Sequence, residues 1–406
     1  MPNQRRESAG CHREALPFMF ATGIENSAPT VEGGKLRRDL MAECGHYDHW
    51  KTDFARSAAL GVRWLRWLRY GVPLYRTWLG PGRYDWEFAD LAFAELRRLG
   101  IEPIVDLCHF CVPDWIGNFQ NPDFPALFQD YAGAFARRYP WVRQYTPVNE
   151  IYICARSSAL YGWWNEQQSS HAAYVRALHH LARASVLAMH EILDHRRDAL
   201  FVQSESTEYF HAAVPGAVAL SNTRNERRFL SLDLNYGRPL EGALREYVLD
   251  NGMREEDLRF FERHALRHCC ILGTDYYESN EHHVAEDGTM GLPDGLLGYA
   301  AIAHEYWQRY GLPLMHTETN RDQGDTGDEA SAWLRHQWML VRSLMHCGVP
   351  MVGFTWYALA DQVDWDIHLR ERRGKVNPRG LVDLERRVRP VGHAYRELIA
   401  TWTGQV

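Results

Sequence analysis

The chain has 406 residues, of which 46% are hydrophobic and 24% are charged. These proportions are typical of a globular protein, and they exclude a disordered chain, a collagen and a small disulfide-stabilised protein. The net charge of −7 gives no indication that nucleic acid or an anionic membrane is a partner.

The predicted elements alternate regularly from Phe18 onward, where short apolar runs are followed by longer stretches with helical periodicity. The predicted strands are 18–23, 63–70, 101–107, 144–148, 200–203, 270–276, 312–316 and 351–356. The helical stretches between them include 86–98, 124–137, 171–195, 297–310 and 330–346. Eight strands that alternate with helices predict an α/β protein with a single (β/α)8 TIM barrel.

We expect one catalytic domain, 1–406, in which the polar residues 1–15 are a loosely ordered lead-in. A doubly wound sheet is the alternative, but neither Gly-x-Gly-x-x-Gly nor a P-loop is present. The chain starts without an apolar leader and has no run of about 18 apolar residues. The eight cysteines form no disulfide framework. We therefore expect a cytoplasmic protein with reduced thiols.

In a TIM barrel the reacting side chains lie where strands end. Glu150 follows the fourth predicted strand and Glu318 follows the seventh, so the two carboxylates would face each other across the mouth of the barrel. Hydrolysis of a glycosidic bond needs such a pair, one to protonate the leaving oxygen and one to attack the anomeric carbon or activate water. A separation of about 5–5.5 Å gives retention, and about 6.5–9.5 Å gives inversion.

A series of motifs in fixed order resembles glycoside hydrolase family 1, the β-glucosidase and β-galactosidase family. Pro147-Val-Asn-Glu150 is similar to its Thr-Phe-Asn-Glu, and His316-Thr-Glu-Thr-Asn320 is similar to its Ile-Thr-Glu-Asn-Gly. Further similar segments are 20–33, 69–76, 107–113, 272–277, 353–365 and 380–383. The resemblance extends from about Phe20 to Ile399.

The resemblance implies a retaining β-glycosidase in which Glu318 is the nucleophile and Glu150 is the acid/base. Arg69 would keep Glu318 ionised, and Tyr277 would donate a hydrogen bond to it. The resemblance also implies roles at the sugar: a bond to its 2-hydroxyl from Asn149, bonds to other glycon hydroxyls from His109 and Trp365, and a stacking floor from Trp356.

Four positions depart from the family pattern at the glycon pocket. Thr30 occupies the place of a Gln, Phe110 that of a Trp, and Asp275 that of an Asn. Asp364 replaces the Glu that usually grips the 4- and 6-hydroxyls. Since a buried polar group left unpaired costs roughly 1–3 kcal/mol, we expect a glycon preference different from that of an ordinary glucosidase.

Several interpretations stay open at this stage. Glu205 and Glu208 either bind substrate or pair with Arg224 or Arg228, and Trp163-Trp164 is either an aglycon platform or a loop anchor. The basic run of Arg370, Arg372, Arg373, Lys375 and Arg379 is either a solvated face or a site for an anionic substrate group.

The alternatives to the main function are a glycosidase of another barrel family with the same carboxylate pair, or a non-catalytic sugar-binding barrel. We expect no metal and no organic cofactor, and the expected partner is a small-molecule or oligosaccharide β-glycoside. A homo-oligomer is compatible with the sequence.

Overall fold

Eight parallel strands close into a barrel in the computed structural model, which describes residues 16–68, 74–293, 295–324 and 327–405. The strands are β1 (Met19–Gly23), β2 (Trp64–Leu68), β3 (Glu102–Asp106), β4 (Gln144–Thr146), β5 (Leu200–Ser206), β6 (Cys270–Asp275), β7 (Leu314–Glu318) and β8 (Met351–Trp356). Strands that are neighbours in this order pair with each other, and β8 pairs with β1, where Phe20 lies opposite Phe354. The predicted TIM barrel is confirmed, and all eight predicted strands belong to it with ends shifted by a few residues.

Helices connect the strands and cover the outside of the barrel. They are α1 (Leu40–Glu43), α2 (His46–Ala59), α3 (Leu74–Thr77), α4 (Glu87–Leu99), α5 (Phe124–Arg138), α6 (Ile151–Ala155), α7 (His171–His195), α8 (Val218–Arg227), α9 (Leu230–Asn235), α10 (Gly242–Asp250), α11 (Glu255–His264), α12 (Tyr299–Tyr310), α13 (Asp328–His346) and α14 (Pro390–Trp402). A π-helical turn, Arg156–Leu160, follows α6 directly. The predicted helical stretches correspond to α4, α5, α7, α12 and α13. No helix in the described ranges is both long and apolar enough to cross a bilayer.

The core has two layers, because alternate residues of each strand point into and out of the barrel. One layer fills the barrel interior and consists of Met19, Ala21, Ile104, Val202, Ile271 and Met315. The larger layer lies between the strands and the surrounding helices. Polar side chains follow the apolar interior toward the carboxyl ends of the strands, so that end is left for chemistry.

The connection between β5 and β6 is long and contains structure that the sequence did not predict. It includes α8 to α11 and a short strand, Tyr209–Ala212, which pairs with Glu281–Val284. The second of these strands pairs in turn with Met290–Gly291. This small sheet stands beside the carboxyl ends of β5 and β6 and supplies residues to the site.

Candidate active site

A cavity of about 430 Å³ opens at the carboxyl ends of the barrel strands. Two larger clefts, of about 640 and 550 Å³, lie among the outer helices, away from the strand ends. The polar and aromatic residues that line the strand-end cavity include Glu25, His109, Phe110, Glu150, Arg156, Trp163, Glu208, Tyr277, His282, Glu318, Tyr357, Gln362, Trp365, His368 and Arg379. Both predicted catalytic carboxylates therefore face one space.

Glu318 is the last residue of β7 and is held by two hydrogen bonds. Arg66 Nη1 donates to its Oε1 over 2.7 Å, and the Tyr277 hydroxyl donates to its Oε2 over 2.7 Å. Both carboxylate oxygens are thus engaged, and all three residues are largely buried. Hydrogen bonds of this charge-assisted kind are about twice as strong as neutral ones. They fix the orientation of the carboxylate in the cavity.

The arginine that contacts Glu318 is Arg66 on β2, whereas the sequence assigned this role to Arg69. Arg69 lies outside the described residues. Arg66 also donates to the Thr317 carbonyl over 2.8 Å and to Asn149 Oδ1 over 3.0 Å. Successive side chains of a strand point to opposite faces of the sheet, and that of Arg66, in the middle of β2, reaches Glu318. Strand alternation was the signal that could have found Arg66.

Glu150 immediately precedes α6, and its backbone has a φ of 40°, in the left-handed region. The side chain is buried, and no described residue donates a hydrogen bond to its carboxyl group or forms an ion pair with it. Burial, followed by the charges of Asp275 and Glu318, raises the pKa of Glu150 well above its usual value. Glu150 is thus suited to carry a proton, whereas both oxygens of Glu318 are held by Arg66 and Tyr277.

Asn149 and His109 lie beside the carboxylate pair. Asn149 Oδ1 accepts from Arg66, and its Nδ2 has no partner among the described residues. His109 lines the cavity, and its Nδ1 donates to Asp106 Oδ2 over 2.8 Å, which fixes the orientation of the ring. The other ring nitrogen, Nε2, is the one left to bond a different partner. Phe110 packs on the His109 ring at 4.5 Å between centroids, and Trp365 also lines the cavity.

Trp356 does not form the floor of the cavity, contrary to the sequence prediction. It is fully buried, and its Nε1 donates to the Arg379 carbonyl over 3.0 Å. The next residue, Tyr357, lines the cavity instead. Its ring is accommodated by Gly23, where a Cβ atom would lie 2.4 Å from the ring. The predicted motif thus has the correct place in the fold but a register shifted by one residue.

Asp364 is also directed away from the cavity. Its carboxylate is fully buried and accepts from Arg38 Nη2 over 2.9 Å and from the backbone N–H groups of residues 373, 374 and 375 over 2.8–2.9 Å. Burial alone would raise the pKa of Asp364, but the backbone N–H groups and Arg38 outweigh it and lower that pKa. The side chain holds its own loop together, and its oxygens are not available to a sugar.

Two more predicted pocket residues lie outside the cavity lining. Thr30 belongs to the short strand Thr30–Val31, and its N–H donates to Asn165 Oδ1 over 3.3 Å. Asp275 lies behind Glu318, where Ser204 Oγ donates to its carboxylate over 2.6 Å and Arg66 is 3.9 Å away. Burial, then the charge of Glu318, raises the pKa of Asp275 well above its usual value. Asp275 therefore lies behind the carboxylate of Glu318 and does not face the cavity.

Glu25 and Gln362 line the cavity but were not assigned from the sequence. Gln362 Nε2 donates to Glu25 Oε2 over 2.7 Å, and Glu25 Oε1 accepts from the N–H groups of Asn26 and Ser27 over 3.0 Å each. The carboxylate is almost fully buried. Its position just beyond the end of β1 was the available signal, since strand ends carry the site residues in this fold.

The open interpretations of the aromatic pair and the two glutamates are decided by contacts. Trp164 is a buried loop anchor whose Nε1 donates to the His368 carbonyl over 2.8 Å, while Trp163 lines the cavity. Glu205 lies outside the cavity lining and accepts from the Tyr152 N–H over 3.1 Å. Glu208 lines the cavity, and within the described residues its carboxylate forms no ion pair with Arg224 or Arg228, although Arg228 Nη1 donates to the Glu208 backbone carbonyl over 2.6 Å.

The basic run divides between the surface and the site. Arg373 pairs with Glu371, and Lys375 pairs with Asp366 over 2.7 Å, so these residues belong to a solvated loop. Arg379 lines the cavity, forms no ion pair within the described part of the chain, and has a buried Nε without a partner there.

The chain is similar in sequence and in fold to known glycosidases. The model of glycosyl hydrolase family 1 matches residues 34–215, a segment that contains Glu150. The aryl-phospho-beta-D-glucosidase BglA of Bacillus subtilis is 24% identical, over 81% of this chain and 79% of that protein. Beta-glucosidase A of Thermotoga maritima is 21% identical, over 82% and 81%. A solved beta-glucosidase from Thermotoga maritima superposes with a TM-score of 0.78 at 18% identity, covering 95% of this chain and 98% of the other.

Proposed function

We propose that the chain, which matches the model of glycosyl hydrolase family 1 over residues 34–215, hydrolyses a β-linked glycoside with retention, through a covalent glycosyl-enzyme. One observation carries the proposal: Glu318 and Glu150 line the same cavity, the first held by Arg66 and Tyr277, the second buried without a cation. Glu318 attacks the anomeric carbon while Glu150 protonates the leaving oxygen.

The second half of the reaction reverses the role of Glu150. Formation of the ester removes the negative charge of Glu318, which is one of the causes of the raised pKa of Glu150. The pKa of Glu150 therefore falls, and its carboxylate takes a proton from the water that attacks the ester. Asn149 Nδ2 would donate to the sugar 2-hydroxyl, a bond that strengthens in the transition state.

The nucleophile is tested with Glu318→Gln on a panel of 4-nitrophenyl β-glycosides. We expect kcat to fall at least about 1,000-fold, because the covalent step is lost. Glu281→Gln is the matched control, since Glu281 is a buried carboxylate outside the cavity lining that accepts from Tyr276 over 2.7 Å. Equal aglycon release by wild type and Glu318→Gln would overturn the assignment.

The acid/base is tested with Glu150→Ala. Glycosylation from an activated aryl leaving group needs no proton, so it should survive, and azide should restore turnover by taking the place of the activated water. The product of azide attack should be the β-glycosyl azide. No rescue, or an α-configured product, would overturn the retaining mechanism and the role of Glu150.

The glycon preference is proposed to differ from that of a simple glucosidase. The position that usually grips the 4- and 6-hydroxyls is Asp364, whose oxygens are taken up by Arg38 and the loop backbone. Glu25 and Gln362 supply the polar groups near that end of the cavity. The test is kcat/KM for aryl glucoside, galactoside, fucoside and xyloside. A glucoside optimum would contradict this part of the proposal.

A second candidate is a glycoside with a phosphorylated glycon. Several relatives are named as phospho-β-glucosidases, and Arg379 lines the cavity without an ion pair among the described residues. Comparison of 4-nitrophenyl β-glucoside with its 6-phosphate decides between the two, with Arg379→Gln expected to weaken only the phosphorylated substrate. The cytoplasmic location and the oligomeric state stay predictions.

A further inference from the structure

A buried ion pair lies on the side of the cavity where a leaving group would be. Arg156 lies six residues beyond Glu150, at the start of the π-helical turn, and Glu208 lies two residues beyond β5. The nucleophile side is built by residues at the ends of β7, β8 and β1 instead. Because the acid/base protonates the leaving oxygen, the group that departs lies against the wall that Glu150 shares with Arg156 and Glu208.

The pair is bidentate and remains charged. Both Nη atoms of Arg156 donate to the Glu208 carboxylate, Nη2 over 2.7 Å. Burial would raise the pKa of Glu208, but the charge of Arg156 outweighs it and lowers that pKa to about 2. Each side chain is more than nine-tenths buried as a residue and lines the cavity. Such a pair is commonly no more stabilising than apolar residues of the same size, so fold stability gives no reason for it here.

Hydrogen-bonding capacity remains on this wall. Arg156 Nε is buried and has no partner among the described residues, and the same holds for His282 Nε2, which lies 3.6 Å from Glu208 Oε2. Each carboxylate oxygen of Glu208 can accept a further bond. Trp163 also lines the cavity, where the His368 ring stacks on it at 5.1 Å between centroids and the Arg370 guanidinium lies 5.1 Å from the centre of its ring. The donors and acceptors of this wall match the hydroxyl groups of a sugar.

We propose that Arg156, Glu208 and His282 form a leaving-group subsite that selects a sugar over an aryl or alkyl group. The proposal rests on the proposed glycosidase function. Neighbouring hydroxyls of the departing sugar donate to Glu208 and accept from Arg156 and His282. An aryl group leaves the polar groups of this wall unpaired, and such groups are what make a site reject a substrate that lacks hydroxyls.

The test compares two substrates that share a glycon, a β-linked disaccharide and the corresponding 4-nitrophenyl β-glycoside. The measured quantity is the ratio of their kcat/KM values, in wild type and in the double variant Arg156→Met/Glu208→Gln. The ratio should fall in the variant by roughly 10- to 100-fold, since a hydrogen bond to a charged group contributes about that factor. His282→Ala should lower it in the same direction.

The matched control is Arg309→Met/Asp233→Asn. Arg309 and Asp233 form a bidentate pair at 2.6 and 3.0 Å that lies outside the cavity. The control should leave the ratio unchanged. An unchanged ratio in both the double variant and His282→Ala would overturn the subsite. If the wild-type protein cleaves the aryl glycoside but not the disaccharide, the subsite is overturned and the proposed function is not. If it cleaves neither substrate, both proposals are overturned.

Discussion

Arg66→Met removes the only cation in contact with the proposed nucleophile among the described residues. At the 2.7 Å separation of Arg66 Nη1 and Glu318 Oε1, Coulomb's law with an effective dielectric constant of about 20 gives roughly 6 kcal/mol. Solvation of the freed charge offsets part of this, and removal of one partner of a buried pair costs about 3–5 kcal/mol. If that cost falls on the transition state, kcat/KM drops roughly 150- to 5,000-fold.

The assay is kcat/KM on an activated aryl glycoside, with urea unfolding to establish that the variant is folded. Arg66→Lys keeps the charge but cannot reach Glu318, Thr317 and Asn149 together, so it should recover only part of the loss. Arg69→Met is the comparison variant, because the sequence motif favoured Arg69. The reasoning is refuted if folded Arg66→Met loses less than about threefold, or if Arg69→Met loses more than Arg66→Met does.

Three further changes separate the roles of buried polar groups. Tyr277→Phe should lower kcat/KM by about 10- to 100-fold, since it removes one hydrogen bond to the Glu318 carboxylate; an unchanged value would mean that the contact is not used. Asp364→Asn should lower the midpoint of thermal unfolding, because the charge that pairs with Arg38 is lost. Its KM should stay within about twofold of the wild-type value, and a KM at least about tenfold higher would indicate that Asp364 binds the sugar. Burial raises the pKa of Glu205 from 4.5 to about 7, so its ionisation in the unfolded chain destabilises the fold as pH rises through this window. The free energy of unfolding of Glu205→Gln, measured with urea, should therefore rise by about 3 kcal/mol relative to that of wild type between pH 4.5 and about 7. A difference between the two proteins that does not change with pH would contradict the raised pKa of Glu205.

The sequence predicted the barrel because each strand has a short apolar run and each helix a longer periodic one. It did not predict α8 to α11 or the small sheet of Tyr209–Ala212, Glu281–Val284 and Met290–Gly291. These elements are short, with helices of six to ten residues and strands of two to four, and so they contain too few residues to be recognised reliably from periodicity. The strand ends nevertheless located Glu150 and Glu318, since the fold determines which end of a strand carries chemistry.

The errors in the site are errors of register and of side-chain direction. The arginine that contacts Glu318 is Arg66, three residues before the arginine that begins the motif 69–76. Trp356 ends β8 and Tyr357 follows it, so a shift of one residue decides which side chain lines the cavity. Asp364 occupies the expected place, but Arg38 and three backbone N–H groups compete for its carboxylate. Such long-range partners cannot be identified from local pattern.

The pairing of β1 with β8 closes the barrel, and it determines when activity can arise during synthesis of the chain. A ribosome releases β2, with Arg66, long before β7, with Glu318, and the ring closes only when Phe354 can align with Phe20. Until then the proposed nucleophile and the arginine that holds it belong to separate parts of the nascent polypeptide, which the barrel has not yet brought together. Activity should therefore appear only after the last strand of the barrel has been synthesised, and a partly translated chain should have none.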